Sequence, residues 1–246
     1  MGRNFLQLCN EVINLLSYLP VKNMDELNNP EGRLIKQKMN EVLREICCGE
    51  HDTWKFRERE KSFVTAEGKS DYELPDGYIL FIRPDDNTNR PPLLYNQNWK
   101  YLPLSTSGQP TYYWIYKDKI RLFPSPGSLQ DGDLYTIKYL TDKYATNNQG
   151  CEIDILEDGD DEPIIPEQYR SLLVYGVVRD FRGSASDTKT EYYRRKFNAL
   201  YNKMLSNQRL TEDYFKGGKV LGVGPTSLQA KIAAFKNPYA TGDRIH

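Results

Sequence analysis

The residues able to carry out chemistry are few, and their spacing does not gather them. The chain has two histidines, His51 in the charged stretch GEHDTW and His246 at its last position. Neither has a partner at metal-ligand spacing, and His51 reads as a solvated imidazole just past a helix end. The four cysteines, Cys9, Cys47, Cys48 and Cys151, show no framework spacing. Cys9 and Cys47 fall on apolar helix faces, where a reduced thiol acts as a small hydrophobe. The run EIDILEDGDDE over residues 152–162 holds seven carboxylates and no base. It lacks the alternating Asp register and closing Glu of a calcium loop, so a solvated, mobile loop is expected. EGKS at 67–70 resembles the end of a phosphate loop, but Phe63 stands where the leading glycine belongs. LGVGPTS near the C-terminus has no strand before it and a proline inside. No catalytic residue, metal ligand or cofactor site is assigned, and the chain is read as a non-enzyme.

The densest chemistry is aromatic. GQPTYYWIYKDKIRLFPSP, Gly108 to Pro126, places Tyr112, Tyr113, Trp114, Tyr116 and Phe123 around a short charged turn. Exposed sheet aromatics can stack nucleobases, but such platforms need surrounding bases, and this stretch has about as many acids as bases nearby. Trp99 and Trp114 could serve as sugar-stacking faces, without a supporting carboxylate pattern. The third reading is packing, with Tyr113 and Ile115 inward and Tyr112, Trp114 and Tyr116 available to a neighbouring subunit or tail component. With 18 tyrosines in the chain, protein–protein contact suits the composition.

Composition narrows the class. Of 246 residues, 39% are hydrophobic and 27% charged, and the mean hydropathy is -0.70. That is a folding, polar chain with no apolar run approaching the roughly 20 residues that span a bilayer, so no membrane role is expected. The N-terminal apolar stretch is interrupted by Glu11 and asparagines and lacks a small-residue cleavage site, which argues against a signal peptide. Leu6 occupies the position where myristoylation calls for Ser or Thr. A net charge of -1 gives the whole chain no electrostatic claim on nucleic acid.

Stepping along the chain, Phe5, Leu8, Cys9, Val12, Leu15, Leu16 and Leu19 recur at helical spacing up to Pro20. PEGRLIKQKMNEVLREICC repeats the pattern with Ile35, Met39, Val42, Leu43 and Ile46. From Trp54 the sequence turns to short alternating runs with a hairpin turn at Lys117-Asp118, and Tyr135, Ile137 and Tyr139 alternate with Thr136 and Lys138. Pro110, Pro124 and Pro126 are expected to stop the hairpin ends from adding strands. Helical period returns at Pro166, with Tyr169, Leu172, Leu173, Gly176 and Val177 on one side. A last helix, capped by Ser186 or Asp187, carries Tyr193, Phe197, Leu200, Tyr201 and Met204 on its stripe. The fold expected is α+β: an α-helical bundle from residues 1–53 and 166–215, a small antiparallel β-sandwich insert over 54–145, an acidic loop over 146–165 and an extended tail over 216–246. The tail has five bases against Asp243 alone, with single apolar residues among glycines, and reads as a segment ordered by a partner. Lys219, Leu221, Phe235, Lys236 and Tyr239 are its expected anchors.

The succession YELPDGYI (Tyr72 to Ile79), GQPTYYWIYKDKIRLFPSP, GDLYTIKYL and IIPEQYRSLLVYGVVRDF resembles the head-to-tail adaptor, or connector, proteins of tailed phages, especially short-tailed ones. The resemblance covers residues 1–210 in order and spacing, and the long acidic run before Pro163 departs from the family pattern. It implies a structural virion protein, assembled in the host cytoplasm, that forms a dodecameric ring with copies of itself. The implied partners are the portal protein through the C-terminal tail, the next tail or ring component, and double-stranded DNA passing through the channel without sequence-specific contact. Two alternatives remain: a nucleic-acid-binding module using the insert aromatics and the basic tail, and a carbohydrate-binding component of a tail tip. A hydrolase has no constellation behind it.

Overall fold

The computed structural model describes residues 2–48, 53–85, 90–96, 102, 106–182 and 188–210. In chain order its elements are α1 (Phe5–Leu15), α2 (Pro30–Cys48), β1 (Glu58–Val64), β2 (Asp71–Glu73), β3 (Gly77–Pro84), β4 (Leu94–Tyr95), β5 (Ser107–Gly108), β6 (Tyr112–Tyr116), β7 (Lys119–Phe123), β8 (Ser125–Pro126), β9 (Leu134–Thr141), β10 (Ala145–Thr146), β11 (Glu152–Ile153), β12 (Glu162–Pro163), α3 (Ser171–Arg182) and α4 (Thr188–Gln208). The fold is α+β, with several antiparallel sheets beside the helices. The described residues divide into two compact units: one holds the chain up to Lys61 with Pro75–Leu80 and Lys138–Leu210, the other Ser62–Leu74 and Phe81–Ile137.

The first unit is built on one apolar core. Phe5, Leu8, Cys9 and Val12 of α1, Ile35, Met39, Val42, Leu43 and Ile46 of α2, Leu172, Leu173, Val177 and Val178 of α3, and Phe197 and Met204 of α4 are buried in it. On α1, α2 and α3 these residues, some of them adjacent pairs, recur every three or four positions, and Phe197 and Met204 stand two turns apart on α4, so each helix turns one apolar stripe toward the others. Helix α1 starts at Asn4, whose side chain accepts the Gln7 N–H while Gln7 returns a bond to the Asn4 backbone. This reciprocal pair satisfies two N–H groups that a helix start would otherwise leave open. Helix α2 starts with Pro30 in its first position, where no hydrogen-bond donor is missed, and Asn29 accepts the Gly32 N–H.

Helix α1 is shorter than its sequence stripe predicts. It ends at Leu15, Ser17 takes a left-handed φ of 68°, and the Tyr18 and Ser17 N–H groups bond back to the Ile13 and Asn14 carbonyls. These paired bonds close the helix end, and Leu19, expected on the stripe, is 88% exposed. Helix α3 likewise begins at Ser171 rather than at Pro166, because Glu167–Tyr169 forms a tighter 3-10 turn first. The residues expected to cap α4 lie outside the described residues.

Among the sheets, β2-β7-β6-β4 contains the hairpin that was expected at Lys117-Asp118. Tyr112 pairs with Phe123, Trp114 with Arg121 and Tyr116 with Lys119, and Lys117 sits at φ 53° in the turn. A second sheet has the order β1-β9-β3. Its middle strand does not alternate as its sequence suggests: Tyr135, Thr136 and Ile137 are all buried, whereas Tyr139 is only half-buried. Thr136 tolerates burial because its hydroxyl meets Ser62 Oγ at 3.2 Å and donates to Asp85 at 3.4 Å. Gly77 lies at φ 144°, and a Cβ there would stand 2.1 Å from the Leu140 carbonyl oxygen, so glycine is required where β3 meets β9. The expected blocking of strands by Pro126 does not hold. Ser125–Pro126 runs as β8 in parallel with β5, and the ladder uses the Ser125 and Gly127 N–H groups on either side of the proline. The remaining sheet, β11-β10-β12, belongs to the first unit.

Candidate interaction surfaces

The hairpin face was the first candidate. Tyr112 and Tyr116 are half-buried, and Tyr116 is held by cations: the Arg121 guanidinium lies 4.5 Å and the Lys117 ammonium 5.5 Å from its ring centroid. Arg121 also pairs with Asp71 of the neighbouring strand, at 2.5 and 2.6 Å. That bond, in spite of partial burial, holds the Asp71 carboxyl below the usual carboxylate range. Trp114, expected to face a neighbour, is instead 1% exposed and packs with Phe123 at 6.4 Å between ring centroids. Strand β6 lies between β7 and β4, and both its faces are covered at Tyr113 and Trp114. Ile115, expected inward, is half-buried. Trp114 is therefore a core residue of its own protomer, and neither a base nor a sugar can stack on it in this fold. Trp99 and the tail anchors Lys219, Leu221, Phe235, Lys236 and Tyr239 lie outside the described residues, as do both histidines.

The acidic run gives the larger correction. Residues 152–162 are not a mobile loop but a braced segment of the first unit. Glu152 begins β11 and pairs with Arg59 and the Thr141 hydroxyl at 2.5 and 2.9 Å. Leu156 is buried in the helical core. The side chain of Asn40 on α2 holds the Leu156 backbone through two bonds. Asp161, also buried, accepts the Glu157 and Asp158 N–H groups, each at 2.8 Å. The carbonyls of Asp161 and Gly159 in turn accept the Phe5 and Leu6 N–H groups, at 2.8 and 3.0 Å, in the first turn of α1. Helix starts carry open N–H groups and partial positive charge, which favours an acidic neighbour. The result presents Asp154, Ile155, Glu157, Asp158 and Asp160 to solvent on a fixed backbone. Counting charges could not find this, because the signal is the single Leu156 and the Asn40 opposite it.

Where the segment ends, Arg170 collects it. This guanidinium is mostly buried, donates to the carbonyls of Ile165, Pro163 and Arg3, and meets Glu162 at 2.9 Å. Arg3 in turn pairs with Glu167 at 2.6 Å and Glu11 at 3.1 Å. Burial alone would raise the Glu167 carboxyl, but the Arg3 hydrogen bonds and the charges of Arg3 and Arg170 hold it below its usual range.

Reactive chemistry is scarce among the described residues. Burial pushes the Cys9 and Cys47 thiols up to about 12, which keeps them protonated and poor nucleophiles. Among the described residues no group of three or more His, Cys, Asp or Glu is arranged to hold a metal ion, and no helix is long and apolar enough to cross a membrane. Large apolar side chains stand out instead: Leu129 is 89% exposed, and Tyr18, Val64 and Tyr192 are exposed too. Such residues suit contact with other proteins.

No curated protein matches the chain. The sequence model described as SU10 adaptor protein matches residues 3–220, most of the chain. The match takes in both units and the segments that carried the resemblance to phage connectors. The chain belongs to the SU10 adaptor protein family and is a structural adaptor of the phage head–tail junction.

Proposed function

We propose that copies of this protein form a ring, dodecameric as in the connectors it resembles, that joins the portal vertex to the tail and extends the DNA channel. The observation that carries this reading is the family match over residues 3–220. In it, the helices of the first unit form the bundle of the adaptor and the β-rich segment an insert of sandwich type. The tail over 216–246, net +4 from five bases and Asp243, docks on the portal through Lys219, Leu221, Phe235, Lys236 and Tyr239. Tyr112 and Tyr116 contribute to contact with a neighbouring subunit or tail component. A tail that gains its order on a preformed surface makes assembly sequential, since binding and ordering occur together. The near-neutral total charge suits a channel through which phosphates slide, because a strongly basic lining would hold them. The role is structural, without catalysis or cofactor, and its place is the virion, after assembly in the host cytoplasm. Removing residues 216–246 tests the docking: binding to purified portal is expected to be lost, and unchanged binding would refute the assignment of the tail.

A further inference from the structure

We propose that the exposed face of α4 is one half of a contact between copies of this chain, and that the braced acidic segment of the adjoining copy is the other half. The proposal rests on the ring reading and adds which surfaces meet. Over residues 188–208 the chain carries Lys189, Arg194, Arg195, Lys196 and Lys203 against Glu191 alone. Arg194, Arg195, Lys196 and Lys203 are exposed, while Phe197 and Met204 take the buried side. The bases therefore contribute nothing to the core. Glu191 is shared by Arg194 at 3.4 Å and Arg195 at 3.0 Å, so the face stays positive after local pairing. Tyr192 is 53% exposed on the same face, with the Lys196 ammonium 5.5 Å from its ring centroid.

Charge complementarity identifies the occupant. The chain as a whole is nearly neutral, yet its charge is sorted: seven carboxylates over 152–162, and five bases with one acid over 188–208. Both stretches belong to the first unit. Among the described residues of one protomer, Arg194 and Arg195 pair with Glu191, and no ion pair joins α4 to the acidic segment. On that segment Asp154 pairs with Lys143 at 3.1 Å, whereas Glu157 and Asp158 have no side-chain partner among the described residues, and Ile155 stands exposed between Asp154 and Leu156. An aromatic with a basic surround on one surface and an aliphatic with an acidic surround on the other make a matched pair. Two different patches that match each other give a heterologous, head-to-tail contact, the kind that closes into rings when the rotation fits. Duplex DNA would also meet a basic helix through its phosphates, but it explains neither the fixed acidic counterpart nor the two apolar centres.

Charge reversal on the full-length protein tests this by sedimentation velocity over a concentration series at low salt. The wild type is expected to self-associate, and the triple variant Arg194→Glu, Arg195→Glu, Lys196→Glu to weaken association by about tenfold or more. Glu157→Lys with Asp158→Lys weakens it likewise, with Asp154 left in place because it already pairs with Lys143. Mixing the two variants restores association, because each then offers what the other lacks, and the rescue also shows that both are folded. Wild-type association that neither variant changes overturns this assignment and leaves the ring reading intact. Absence of association in both the wild type and the mixture overturns it as well, and the ring reading is then judged by copy number in the particle. If reversal on α4 leaves association unchanged and abolishes salt-sensitive retention on duplex DNA, the face belongs to DNA and the proposal fails.

Discussion

The side chain of Asn40 on α2 donates to the carbonyl of Leu156 and accepts the Leu156 N–H, at 3.0 and 2.8 Å. One amide thus behaves as a strand partner for an acidic segment far along the chain, and it fixes the backbone on which Glu157 and Asp158 are carried. Replacing Asn40 with Ala leaves both backbone groups of Leu156 without that partner in a partly buried place. The expected loss is about 2–3 kcal/mol, or roughly 5–10 °C in Tm for a chain of this length. Thermal unfolding checks it, and hydrogen exchange should quicken at residues 156–158 before elsewhere. An unchanged Tm would mean that the segment is held by Leu156 and Asp161 alone.

Gly176 of α3 lies against both α2 and α4. A Cβ there would lie 2.6 Å from Val42 Cγ1 on α2 and 3.3 Å from the Phe197 ring on α4. Helix propensity favours alanine over glycine by about 1 kcal/mol, so Gly176→Ala sets propensity against packing. Packing is expected to win, with a net loss of about 1–3 kcal/mol, because Val42 is short, branched and buried. Adding Val42→Ala should recover part of that loss, and denaturant unfolding of the single and double variants would show it.

The Asp71–Arg121 pair predicts a pH dependence of definite sign. Hydrogen bonding from Arg121 depresses the folded value of Asp71. Its contribution to stability is therefore present above the unfolded value of about 3.9 and disappears as pH falls through the lower folded value. Wild type should exceed Asp71→Asn in stability near neutral pH, and the gap should close in acid. A gap that stays constant down to the lowest pH would place the effect of Asp71 in packing rather than charge.

What the sequence revealed depended on how local the cause was. The buried face of α2, from Ile35 to Ile46, and the stripe of α4 around Phe197 and Met204 were legible because helical periodicity is written directly in residue type. The hairpin at Lys117-Asp118 was legible because a charged turn separates two short strand-like runs. Trp114 was misjudged because alternation assumes one wet face, and an inner strand has none there. The acidic run was misjudged because its order comes from Asn40 and from the start of α1, both remote in sequence. Pro126 was misjudged because a ladder can use the N–H groups that flank a proline. The connector identity came from a succession of motifs, each weak alone.

The central claim is that this adaptor sits as a ring between portal and tail. Quantitative mass spectrometry of purified particles, followed by crosslinking, tests it most directly. A ring between portal and tail gives a copy number that matches a dodecamer, and crosslinks that join residues 216–246 to the portal. Absence of the protein from the particle, or a copy number incompatible with a ring, would contradict it.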